Sequence, residues 1–286
     1  MSQLFKVLCL LMVVGMAWTA SAQAQDNVFW TNGVGDHDFA NVGNWSGGYP
    51  AGDFAIIQNN GYANVTSSLS DVYRIHVGAD LGGAGGSDPM GTGILNIEAG
   101  GSLTATSSCY TGHGNGNEGT INLNAGSLST GSLVLGYGDN SKGTFNANGG
   151  TYSSSGFLYV GFASGSQGIL NLTSGSVTGS RELRAGYRSG SQGIINISGG
   201  SMTIIEDAYL GYYDNSVGIL NLSGGSISVD SANRELWLGK GADSVGVVHQ
   251  TNGTLISSSD AIRLAYEGVG SYAYYDLVDG IATGKS

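Results

Sequence analysis

The side chains able to do acid–base or nucleophilic chemistry are few and scattered along the chain. The four histidines, His37, His76, His113 and His249, stand apart, and none has a carboxylate at a spacing that would make a catalytic pair. Glu206, Asp207 and the adjacent Arg181 and Glu182 are isolated charges, which suits solvated corners better than the paired carboxylates of glycoside hydrolysis. No G-x-S-x-G, H-E-x-x-H, phosphate-binding loop or Cys/His metal cluster is present. Asp139-Asn140 and Asp214-Asn215 offer oxygen ligands, but the equivalent turns carry Ser164, Ser166, Ser189 and Ser191 instead. Calcium takes six to eight oxygens and usually several carboxylates, so these residues read as ordinary Asn/Asp/Gly turn chemistry. The expectation is a chain with no catalytic residues, no metal and no cofactor.

Binding chemistry is better represented. One line of positions, His76, Tyr110, Val134, Tyr159, Arg184, Tyr209, Trp237 and Arg263, recurs in step with an internal repeat and points away from the apolar positions on either side. Stacked at strand spacing, about 4.8 Å, it makes a row of rings and guanidinium groups on one flat face. Aromatic faces suit sugar rings or a protein partner. Tyr110, Tyr159, Arg184, Tyr209, Trp237 and Arg263 are therefore the candidate ligand-binding residues. A second line, Tyr137, Phe162, Tyr187 and Tyr212, follows a recurring glycine and reads as a structural stack.

The repeat that must position these lines is read from its glycines. Gly93, Gly119, Gly143, Gly168, Gly193, Gly218, Gly246 and Gly270 open successive blocks about 25 residues apart. Each block holds three strand-like pieces, as in 168–172, 176–177 and the run Leu158-Tyr159-Val160 closed by Gly161. A period this regular means one unit stacked on copies of itself. The predicted fold is all-β: a right-handed parallel β-solenoid of about eight coils, with three short strands per coil and glycine at the corners. Asn96, Asn122, Asn146, Asn171, Asn196 and Asn221 fall in one register and are predicted to form a hydrogen-bonded ladder. Cys109 falls in an inward column beside Thr111 and is expected to be a small apolar filler.

Residues 25–92 follow the period poorly and are read as an N-terminal cap with a first incomplete coil, including a longer turn from Gly82 to Gly93. The repeats occupy 93–286. Residues 270–286 begin a coil without completing it, so the solenoid is expected to be cut short there.

Residues 1–24 have the form of a secretory leader. Lys6 supplies the basic start, 7–18 an apolar stretch too short to span a membrane, and Ala22 and Ala24 both end small-x-small cleavage sites. The formal charge is −11, and loss of Lys6 with the leader makes it one unit more negative. That balance opposes nucleic acid and anionic lipid surfaces. Cleavage would leave Cys109 as the one thiol, so no internal disulfide is expected.

The residues also resemble a family. Trp30, Asp38-Phe39-Ala40-Asn41, Asn44-Trp45-Ser46, Pro50 and Asp53 to Ile57, followed by G-x-L-N-[IL]-x-x-G-x-[LIV] coils, resemble secreted bacterial repeat proteins with autotransporter-associated β-strand repeats, of planctomycete and verrucomicrobial type. The resemblance covers the chain after the leader. It implies a surface or matrix solenoid and specifies no activity. Such proteins often carry a C-terminal sorting signal or barrel, and neither motif is seen here. The sequence thus points to a secreted, non-enzymatic module of the cell surface, extracellular matrix or adhesion apparatus, whose partner is an extracellular polysaccharide or surface protein. Carbohydrate binding through the outward line is the alternative, and a polysaccharide lyase or hydrolase a third reading.

Overall fold

In a computed structural model, described for residues 25–81, 91–179, 181–230, 234–257, 262–265 and 268–284, the chain winds into a parallel β-solenoid. The leader-like segment and most of the 82–93 turn lie outside the described residues. The first strands of the coils form one nine-stranded parallel sheet that runs from Gly61–Val65 to Tyr272–Leu277. The second and third strands belong to a 17-stranded sheet that wraps the other two sides. Parallel neighbours joined by a crossover take the right-handed winding, because a right-twisted strand returns to its sheet most easily that way. No helix among the described residues is long and apolar enough to cross a membrane.

Register follows the sequence repeat closely. Gly143 pairs with Gly119 and with Gly168, Asn146 with Asn122 and with Asn171, and the same matching continues through Gly193, Gly218 and Gly246. Among the described residues there are nine coils rather than about eight. Gly61 pairs with Gly93, so a coil with all three strands, Gly61–Val65, Ser68–Val72 and Arg74–Ala79, precedes the first predicted one. The last coil also differs from expectation. Gly246 pairs with Ala273 rather than Gly270, which instead takes a left-handed turn conformation with φ of 76°. In two coils the second and third strands run on without a break, as Ser102–His113 and Ser127–Leu135. The pairing between them shifts between Ala105 and Ser108, so the corner there is a bulge instead of an interruption.

Alternation decides what is inside. Leu133 and Leu135, Leu158 and Val160, Leu183 and Ala185, Ala208 and Leu210, and Leu236 and Leu238 are all buried, as are Leu170, Leu172, Ile195 and Ile197 on the first strands. Each buried aliphatic side chain of this size contributes about 2 kcal/mol. Cys109 is fully buried in this core, and burial pushes its thiol pKa well up, which leaves it an inert filler. At the N-terminal end the strands Asn27–Phe29 and Phe54–Ile57 pair in parallel below Arg74–Ala79. Trp30, Phe39 and Trp45 close that end, with ring centroids 5.0 Å apart for Trp30–Trp45 and 4.8 Å for Phe39–Trp45. At the other end Leu264 and Leu277 occupy inward columns yet are 53% and 46% exposed, because no described coil covers them.

Corners are where backbone meets backbone. Gly161 has φ of 78°, and a Cβ there would lie 2.2 Å from the Gln192 carbonyl oxygen of the next coil. Gly35 in the cap has a similar φ of 79° with nothing within 4 Å. We therefore expect Gly161→Ala to cost about 3 kcal/mol or more, and Gly35→Ala about 1 kcal/mol, in urea unfolding. Equal losses would show that backbone conformation alone, and not crowding between coils, sets the requirement.

Candidate functional site: the outward column and the corner groove

The pairing places every member of the outward line in a single column. His76 pairs with Tyr110, Tyr110 with Val134, Val134 with Tyr159, Tyr159 with Arg184, Arg184 with Tyr209, Tyr209 with Trp237, and Trp237 with Arg263. The column is not an open platform, however. His76, Val134 and Tyr209 are buried, at 2%, 4% and 6% exposure, and the other members are half-buried.

The covering layer is made by the residues after the corner glycines. Tyr137, Phe162, Tyr187 and Tyr212 stack along the rod, with centroids 5.5, 5.3 and 5.3 Å apart. Phe162 meets Tyr159 edge-on at 4.9 Å, and Tyr212 meets Tyr209 edge-on at 4.8 Å. Cations fill the remaining faces. The Arg184 guanidinium lies 4.6 Å from the Tyr212 centroid and 5.0 Å from those of Phe157 and Tyr187. Lys240 stands 4.7 Å from Tyr212 and 4.8 Å from Tyr209, and Arg263 lies 5.0 Å from Trp237. Such contacts are favourable where water is partly excluded, and they occupy ring faces that a stacking sugar would need.

The acidic residues are less isolated than their sequence positions suggest. Stacking brings residues one coil apart together. Arg181 pairs with Glu206 at 3.7 Å, Arg234 with Asp207 at 3.5 Å and Arg263 with Glu235 at 2.5 Å, while Arg184 pairs with Glu182, two residues away on its own coil. Burial opposes the Arg184 charge, but the bonded Glu182 carboxylate, with Tyr159 and Tyr212, more than offsets this and holds its pKa above the usual guanidinium value. Burial first, and then the neighbouring Asp207 carboxylate, pushes the Tyr209 phenol well up. These charges act as internal fasteners of the sheet. Among the described residues no three His, Cys, Asp or Glu side chains gather as a metal site. Asp214 Oδ1 accepts from Ala242 N at 3.0 Å, and Asn140 Nδ2 donates to Asn115 Oδ1 at 3.1 Å, so these turn side chains tie neighbouring coils.

Two features escape a reading of the sequence column by column. One is a concave corner groove in two adjoining parts of about 520 and 500 Å³, which share Arg188. Small residues at Gly138 and Ala163 leave Arg188 and Tyr213 standing above the turn. The Arg188 guanidinium lies 5.0 Å from the Phe162 centroid and makes no ion pair with a described residue. The size step at the second residue after each corner glycine was the visible signal. The other is a pair of imidazoles, His76 and His113, with Nδ1 atoms 2.7 Å apart. Their separation of 37 residues hides the pair, which forms because the two coils meet at Ala79 and His113.

A third regularity was legible but unused. Ser141, Ser166, Ser191, Ser216 and Ser244, two residues before each opening glycine, are buried. Each donates its hydroxyl to the carbonyl three residues earlier, closing the turn.

Comparison of the chain with known protein families, with characterised proteins and with solved structures finds no match.

The imidazole pair makes stability depend on pH. Burial is the main cause that lowers the His76 pKa from 6.5 to about 3, and His113 and Arg74 add to it. Above pH 6.5 the ring is neutral in both folded and unfolded chains. Below that, the unfolded chain takes up a proton that folded His76 refuses until about pH 3. Stability should therefore fall as pH drops through this window, by up to about 1.4 kcal/mol per pH unit. Thermal melts between pH 7 and 4 should show a shallower loss for His76→Phe than for the unaltered protein, and equal slopes would overturn the assignment.

Proposed function

We propose that this chain is an exported, non-enzymatic rod of the cell surface or extracellular matrix, serving as a spacer or adhesion module. The observation that carries this reading is the asparagine ladder. Asn96, Asn122, Asn146, Asn171, Asn196 and Asn221 each donate Nδ2–H to Oδ1 of the asparagine one coil earlier, starting at Asn64, over 2.7 to 3.0 Å. One face of the rod is given to self-support along nearly its whole length, on the order of 40 Å for nine coils. The aromatic stack, the Arg–carboxylate pairs and the buried turn serines use further side chains in the same way. A surface made of internal fasteners suits a stiff, protease-resistant element. The leader-like segment and the acidic, Lys-poor composition agree with export.

Glycan binding is the second reading, and the corner groove favours it more than the outward column does. There an exposed guanidinium, Ser164, Ser189 and Asn215 face one concavity, whereas the column's rings face one another.

Full-length protein expressed in a bacterium with a secretory pathway should be recovered outside the cytoplasmic membrane, with an N-terminus at Gln23 or Gln25. Recovery inside the cell with Met1 intact would overturn the exported-rod reading. Incubation with insoluble polysaccharides should release no soluble sugar, and release would replace the rod with an enzyme. If a polysaccharide does deplete the protein, Arg188→Ala should abolish depletion under the groove reading. Loss in a Tyr159/Tyr209/Trp237→Ala triple variant alone would return the site to the column.

A further inference from the structure

Five asparagines in this chain precede a glycine: Asn32, Asn60, Asn115, Asn148 and Asn252. In such a pair the glycine amide nitrogen can reach the carboxamide of the residue before it, because glycine puts no side chain in the way. Hydrogen bonding decides whether the two groups meet, and the fold treats the five pairs differently.

Four of them are engaged elsewhere. Asn32 Oδ1 accepts from His37 N at 3.1 Å. Gly61 N, which follows Asn60, donates to the Gln58 carbonyl oxygen at 2.8 Å. Gly116 N donates to the Asp139 carbonyl oxygen at 3.1 Å, and Asn115 Oδ1 accepts from Asn140 Nδ2, also at 3.1 Å. Asn148 donates to Asn124 Oδ1 at 3.1 Å and accepts from Thr173 Oγ1 at 3.4 Å. The fifth pair faces itself. Asn252 is exposed at the corner between Val245–Gln250 and Thr254–Ser257, and its Oδ1 accepts from Gly253 N at 2.7 Å. Gly253 N donates to no main-chain carbonyl among the described residues. The contact keeps the Gly253 nitrogen next to Cγ of Asn252, and holding reacting atoms close removes a large part of a barrier.

We propose that Asn252 is a site of spontaneous self-modification, at which Gly253 N displaces ammonia and water then opens the ring. The bond from Gly253 N to Asn252 Cγ forms as the Cγ–Nδ2 bond breaks. The amide proton leaves with Nδ2 as ammonia, and a cyclic succinimide remains. Water then adds its hydroxyl to one of the two ring carbonyls and returns a proton to the nitrogen. Opening at Cγ gives aspartate, opening at the main-chain carbonyl gives isoaspartate, and neither step changes an oxidation state. The aspartate product has a precedent one coil on, where Gly280 N donates to Asp279 Oδ1 at 2.7 Å. The isoaspartate product adds one atom to the main chain at the corner. Thr254–Ser257 pairs with Ser226–Val229 on one side and Ile281–Gly284 on the other, so the extra atom works against the register of the last described coils. The rod therefore ages first at that end.

The test is a time course in mildly alkaline buffer, with folded protein beside a sample unfolded in urea. Trypsin cleavage after Lys240 and Arg263 releases residues 241–263, in which Asn252 is the one asparagine. Peptide mass mapping reads amide loss at each of the five pairs, and an isoaspartate-specific methyltransferase reads the rearranged product. In the folded protein Asn252 should convert roughly fivefold or more faster than any of the other four, each of which must first give up a hydrogen bond. In urea the five rates should converge. Asn252→Gln keeps the carboxamide but needs a larger ring, and should leave 241–263 unconverted over the same period. The proposal is overturned if Asn252 only matches or trails another of the five in the folded protein. It is also overturned if its lead is as large in urea, because neighbouring sequence and not the fold would then be the cause.

Discussion

Much of this molecule depends on two glycines that clasp one corner of each coil from Gly136 to Gly246. At the corner that runs from Gly161 to Gly168, a Cβ on Gly168 would lie 1.9 Å from the Gly161 amide nitrogen. The same clasp recurs as Gly186 with Gly193, Gly211 with Gly218 and Gly239 with Gly246, at 2.3 to 2.4 Å. Main chain can approach main chain this closely only where side chains are absent. The clasp fixes where each first strand begins, and with that origin fixed every later residue of a coil falls above its counterpart. Columns of like residues are a consequence of the corner rather than a separate design.

Once columns exist, like-on-like chemistry must be solved for each type of side chain. Carboxamides solve it by being donor and acceptor at once, so asparagine can repeat without frustration. Aromatic rings solve it by offset stacking and edge contacts. Like charges repeat only with opposite charges beside them: Glu182, Asp207 and Glu235 stand one above another, and Arg184, Arg234 and Arg263 pair with them next to the rings of Tyr159, Tyr209 and Trp237. The resulting mixture resembled a ligand platform in the sequence. In space it is a set of mutual neighbours.

Period, strand alternation, the asparagine register and the burial of Cys109 were readable because each is a property of one coil repeated. What the sequence hid depends on relations between columns or on breaks in the period. The depth of Tyr209 could not be read from its own column, because Tyr212 and Lys240 cover it from the next one. The coil that opens at Gly61 was lost because 32 residues, not about 25, separate it from Gly93. Gly270 carried the right residue type at nearly the right distance, but the paired position is Ala273.

The asparagine ladder also gives the rod an electrical direction. Every carboxamide from Asn96 to Asn196 donates toward the N-terminal side and accepts from the C-terminal side, and Asn221 donates the same way, so their dipoles add instead of cancelling. The positive pole lies against the cap. At the negative pole the next rung is His249, and the rung beyond it is Asp276, with His249 Nδ1 and Asp276 Oδ2 2.9 Å apart. The carboxamide series thus gives way to an ionisable pair at the end where its field is negative. A rod of this kind is a vector: its two ends differ in potential before any surface charge is counted, and an array of such rods would have a defined sense of orientation built into its axis.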